Sequence, residues 1–200
     1  IALLPVHHYA RYSGVYLIYA ATLAFTLAIL CDVWARSVRR DDTALGDRDR
    51  YYAVLTAMAL LAALPAAVVA AIVGLNVLGV GVAAVASTLA VFRAGSRYYL
   101  IAAGSGGRAG IADLTAALSG TLAGAILWWT GHYSLHAALT VWALVNAIAI
   151  GGARSSPRIS IYDVGSWFSQ HRRTILALLS DAGLMNLASV GTPYAVAAVS

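Results

Sequence analysis

The chain has 200 residues, of which 61% are hydrophobic and only 10% charged, with a formal net charge of +5. A soluble globular domain carries about 25% charged residues, so this composition excludes a soluble enzyme with a wetted surface. The pI near 9.6 does not point to nucleic acid either. Every basic residue is Arg, and the arginines stand at the ends of apolar runs rather than along one basic face.

A membrane span needs about 20 mostly apolar residues. The first such run extends from about Ser13 to Ala35 and stops at a charged loop, Arg36 to Arg50, with five Arg and four Asp. The second covers Tyr51 to about Gly74, with Pro65 inside it, a residue that membrane helices tolerate with a kink. After the short link Leu75-Asn76, the third run covers Val77 to about Ala103. The turn Gly104 to Arg108 leads to the fourth, Ala109 to Thr130, and Gly131-His132-Tyr133 leads to the fifth, Ser134 to about Ala153. Arg154 to Arg173 is the longest polar break, in which Ile159 to Phe168 reads as a short interfacial helix with Trp167 and Phe168 at headgroup depth. A sixth, less apolar run starts near Thr174 and holds Asp181, Asn186 and Pro193.

The predicted architecture is therefore all-α: a polytopic transmembrane bundle of five full spans and the start of a sixth. Residues 1–153 form the membrane helices, 154–173 a linker and 174–200 the beginning of a second unit. The chain begins with Ile and ends inside an apolar run, as a piece of a longer protein would.

Charge sets the expected orientation. Arginines cluster between runs one and two, near the end of run three, and between runs five and six; the alternate links carry none. The positive-inside rule places these three basic loops in the cytoplasm of a multi-pass cell-membrane protein. Arg11 is the exception. The short neutral links make runs two and three, and runs four and five, antiparallel hairpins.

No HExxH, CxxC, GxxxxGK[ST] or GxSxG signature is present. His7 and His8 are neighbours, do not share a helix face and have no acidic or Cys partner nearby. No enzyme activity, metal or cofactor is expected. The lone Cys31 excludes an intrachain disulfide. The informative residues are ionisable ones in or near the spans, because charge in hydrocarbon is costly. Arg93 and Arg97 are one helical turn apart on one face. They either snorkel to headgroups or line a cavity and bind an anionic group through the planar guanidinium fork. Asp113 reads as a helix-start acid or as a partner of Arg97. Asp181 is a solitary acid within run six. Arg93, Arg97, Asp113 and Asp181 are the candidate substrate-binding residues. Asp32 and Arg36, four apart, are expected to pair, and His136 and Asn146 to bond between helices. The tyrosines of run one and Tyr98-Tyr99 fit interfacial belts and cavity walls equally well.

The segment Leu3-Leu4-Pro5-Val6-His7-His8-Tyr9-Ala10-Arg11-Tyr12 precedes an apolar helix ending in Cys31-Asp32-Val33-Trp34-Ala35-Arg36. With Phe92 to Tyr99, Gly107 to Asp113 and Leu187 to Tyr194, it resembles the polysaccharide flippases (Wzx-like) of the multidrug/oligosaccharidyl-lipid/polysaccharide exporter superfamily. His7-His8-Tyr9-Ala10 stands where that family carries an acidic turn. The resemblance implies helices two to six of a first six-helix lobe, then the start of helix seven. It also implies export of lipid-diphosphate-linked saccharides by alternating access, by a monomer in membrane lipid, with cationic cavity residues holding the diphosphate. The alternatives are a multidrug or small-molecule exporter, which calls for an acidic cavity, and a membrane glycan polymerase or acyltransferase, which calls for a large outer loop.

Overall fold

A computed structural model describes residues 6–38, 48–132 and 134–199, with side chains over 11–36, 48–132 and 134–181. All its regular elements are helical: α1 (Val6–Thr26), a π-helical turn (Leu27–Cys31), α2 (Asp32–Val38), α3 (Arg48–Ile72), α4 (Val77–Ala102), α5 (Gly106–Thr130), α6 (Leu135–Gly152) and α7 (Ile161–Val199). Five stretches are long and apolar enough to cross a membrane: Arg11–Arg36, Arg48–Ile72, Val77–Ala102, Gly106–Thr130 and Leu135–Gly152. The protein is thus an all-α bundle of five candidate membrane spans. The motif side chains of residues 3–10, the loop arginines Arg39 and Arg40, Tyr133, and the side chains of Asn186, Pro193 and 187–194 lie outside the described residues.

Each helix end is set by local chemistry. Asn76 caps α4, its Oδ1 accepting from the Gly79 N–H at 2.9 Å, and Ser134 caps α6, its Oγ accepting from Ala137 N–H at 3.1 Å. Gly131 closes α5 in the left-handed region (φ 68°), where a side chain would be strained. Pro65 sits inside α3, which continues through it.

α4 is the central helix, packed against both α3 and α6, with α5 packed mainly on α6 and also touching α4. The α3–α4 contact is close because Gly95 has no side chain: a Cβ there would overlap Leu55. Around this contact Trp34, Tyr51, Tyr52 and Tyr99 form an aromatic core, with Trp34–Tyr99 and Tyr51–Tyr99 centroids 4.8 and 4.9 Å apart. Tyr51 donates its O–H to the Gly95 carbonyl at 2.9 Å, which leaves its oxygen to accept from the Cys31 thiol at 3.2 Å. Outward leucines such as Leu64, Leu118 and Leu122 are exposed. Between helices in lipid there is no hydrophobic driving force, so small residues and polar ties do the packing instead.

The polar segment after α6 differs from expectation. No break separates an interfacial helix from the sixth run: α7 is one helix of 39 residues, about 58 Å long at 1.5 Å per residue. Polar residues do not end a helix; only lost backbone bonding does, and no Pro stands between Ile161 and Thr174. Trp167 is buried within the bundle, its Nε1 donating to the Ile29 carbonyl of the π-turn at 3.2 Å. An indole N–H taken out of water needs an acceptor, and the altered bonding register of the π-turn offers one.

Candidate functional site

Apart from Arg11, which lies beside Gly74 at the other end, the described arginines gather at one end of the bundle, and several serve as ties. Arg50 on α3 donates to Ser166 Oγ (3.0 Å) and Gln170 Oε1 (2.8 Å) on α7. Arg108 donates to the Ala153 carbonyl at 2.9 Å, which locks the start of α5 to the end of α6. Arg158 pairs with Asp49 at 3.4 Å. At the opposite end His136 Nε2 meets Asn76 Oδ1 at 2.8 Å, so the cap of α4 also bonds to α6.

Arg93 and Arg97 are different, because both reach one carboxylate. Arg93 Nη2 contacts Asp113 Oδ1 at 3.1 Å and Arg97 Nε contacts Oδ2 at 2.7 Å. Arg93 also donates to Asn146 Oδ1 at 3.4 Å, and Asn146 returns its Nδ2 to the Trp142 carbonyl at 2.7 Å. Three helices therefore meet in one polar cluster: α4 gives two guanidiniums, α5 the carboxylate and α6 the amide. Two cations and one anion leave a net charge of +1. The side chains are 26% (Arg93), 38% (Asp113) and 51% (Arg97) exposed, so Arg93 is the inner member and Arg97 the accessible one. Of the four candidate substrate-binding residues, the structure brings Arg93, Arg97 and Asp113 together. Asp181 is exposed on α7 and no hydrogen bond or ion pair joins it to the other three.

Arg97 also lines a cavity of about 720 Å³ between the first helix and α4, with Leu23, Leu27, Asp32, Tyr98 and Ile101 among its walls. A volume of this size falls within the range of about 300–1,000 Å³ usual for ligand sites. Its wall is graded. Leu23 and Leu27 are apolar, whereas Asp32, Arg97 and Tyr98 are polar and lie toward the arginine-rich end. Asp32 does not pair with Arg36, as its spacing had suggested; its Oδ1 accepts from Tyr98 O–H at 3.2 Å. The π-turn sets which wall Asp32 lies on. Asp32 N–H bonds the Leu27 carbonyl five residues back, which places Leu27 and Asp32 on the same wall. In a regular α-helix, residues five apart are offset by about 140°.

Run one's tyrosines form a second aromatic group, on α1 against α6. Tyr12, Tyr16 and Tyr19 surround Trp142, with the Tyr19–Trp142 centroids 5.0 Å apart and nearly perpendicular. Tyr98 faces the cavity while its neighbour Tyr99 is in the core. Sequence reasoning missed Asp32 as a cavity residue, because a π-turn leaves no residue signature. No group of three or more His, Cys, Asp or Glu suited to a metal ion occurs among the described residues. Comparison with protein-family models, curated proteins and solved structures gives no match.

Proposed function

We propose that this chain belongs to a membrane transporter that moves an anionic amphiphile, a lipid-diphosphate-linked saccharide, with its arginine-rich end facing the cytoplasm of the cell membrane. The observation that carries this reading is Arg97 on the wall of the roughly 720 Å³ cavity. Among the described residues only its Nε is engaged, by Asp113, which leaves its other donors to an anionic oxygen. The cluster's net positive charge favours such a group, and the apolar wall of Leu23 and Leu27 suits a lipid tail. Arg93 holds Asp113 in place from the inner side. The same architecture is compatible with a monomer working by alternating access.

A charge-assisted hydrogen bond contributes about 1.5–3 kcal/mol, which corresponds to a roughly 10- to 100-fold effect. Replacing Arg93 and Arg97 together by Ala in the intact protein is expected to lower export of lipid-linked saccharide at least tenfold, at unchanged membrane abundance of the protein. Export at the wild-type rate would refute the reading. A cation exporter would respond instead to loss of the acids, with transport retained in the double Arg variant.

A further inference from the structure

The cavity wall carries an anion as well as a cation. Asp32 lines the same space as Arg97, and only its Oδ1 has a partner, the Tyr98 hydroxyl at 3.2 Å. Among the described residues its other oxygen has no hydrogen bond. A carboxylate on a largely apolar wall is costly unless its lone pairs are met by donors. The π-turn places it there, since the i to i+5 bond from Asp32 N–H to the Leu27 carbonyl brings Asp32 round to the face of Leu27. A ligand that is anionic throughout would be repelled by Asp32 while held by Arg97. The pair therefore selects a head group with its anion at one place and neutral hydrogen-bond donors at another.

We infer that Asp32 is a second polar subsite, accepting hydrogen bonds from hydroxyls of the saccharide part of the ligand, while Arg97 takes the phosphate. This rests on the transport reading above and extends it. The tail lies along Leu23 and Leu27. Asp32 thereby discriminates the glycosylated lipid from the bare lipid diphosphate, a task Arg97 cannot perform because both carry the same anion. Ala35, one turn after Asp32 and on the same cavity wall, bounds the space the saccharide occupies.

The test measures affinities of the purified intact protein for polyprenyl diphosphate and for polyprenyl diphosphate saccharide. The wild type is expected to bind the glycosylated lipid more tightly. Asp32→Asn keeps the shape and the Tyr98 contact but removes the charge, and is expected to cut the preference about tenfold. Ala35→Phe leaves Asp32 intact and fills the space beside it, and is expected to reduce the preference as well. Reactivity of the buried Cys31 toward a thiol dye on heating checks that each variant is folded. A preference unchanged in both variants, or absent from the wild type that still binds both lipids, overturns the Asp32 subsite and leaves the transport reading standing. Failure of the wild type to bind either lipid ends both.

Discussion

The two helical hairpins of this bundle are held in different ways. In the α3–α4 hairpin, side chains interlock. Gly95 receives Leu55, the rings of Tyr51, Tyr52, Tyr99 and Trp34 close over the contact, and Tyr51 bonds the Gly95 carbonyl. In the α5–α6 hairpin only Ala109, Ala112 and Ala116 of α5 are buried. That helix lies against α6 and shows most of its apolar surface outward. Its links to α4 include the ion pairs from Asp113 to Arg93 and Arg97. Shape holds the first hairpin; the second meets α4 through the packing of α6 and, on the side of α5, through charge. The difference has a functional meaning, since a contact made by charge is one that an anionic ligand can compete for and a steric contact is not.

The largest test of this contrast is Gly95→Val. The added side chain has no space against Leu55, and overpacking of this kind costs about 1–3 kcal/mol or more. A marked fall in thermal stability in detergent is expected, followed by the reactivity of Cys31, whose thiol is buried in the native protein. A variant as stable as the wild type would mean that the α3–α4 contact is looser than the geometry describes. Next comes Asp113→Asn, which leaves Arg93 and Arg97 without a counter-charge. A loss of about 1 kcal/mol is expected for this partly exposed cluster, and combining it with Arg97→Gln should recover part of it, with a coupling of at least about 0.5 kcal/mol. Strict additivity would show that the pair does not fasten α5. The smallest effect belongs to Leu118→Ala, on the outward face of α5 at 63% exposure. A change within about 0.5 kcal/mol is expected; a larger one would mean that another surface covers this face.

The spans were legible in the sequence because membrane crossing imposes length and apolarity directly on the chain. All five candidate spans correspond to apolar runs read in order from Ser13 to Ala153. The shared face of Arg93 and Arg97 was also legible, since four-residue spacing is a property of any α-helix. Asp113 was weighed both as a helix-start acid and as a partner of Arg97; its contact with both arginines depends on how α5 leans on α4, and hairpin connectivity alone does not set that. Three features stayed hidden for physical reasons. The π-turn is a change in bonding register without a compositional mark. The burial of Trp167 depends on the carbonyl that turn presents. The continuity of α7 was masked by its polar first third, because apolar content reports the surroundings of a helix and not its existence.

A helix ordinarily counts its neighbours in fours, and the first helix of this protein once counts five. That single irregularity makes the composition of the cavity wall depend on helical phase as well as on residue identity. Rewinding that turn into regular α-helix at its present length would leave every side chain of the wall present in the protein, yet set Asp32 about 140° from Leu27. The carboxylate would be lost from the wall by a shift in phase, with no acidic residue altered.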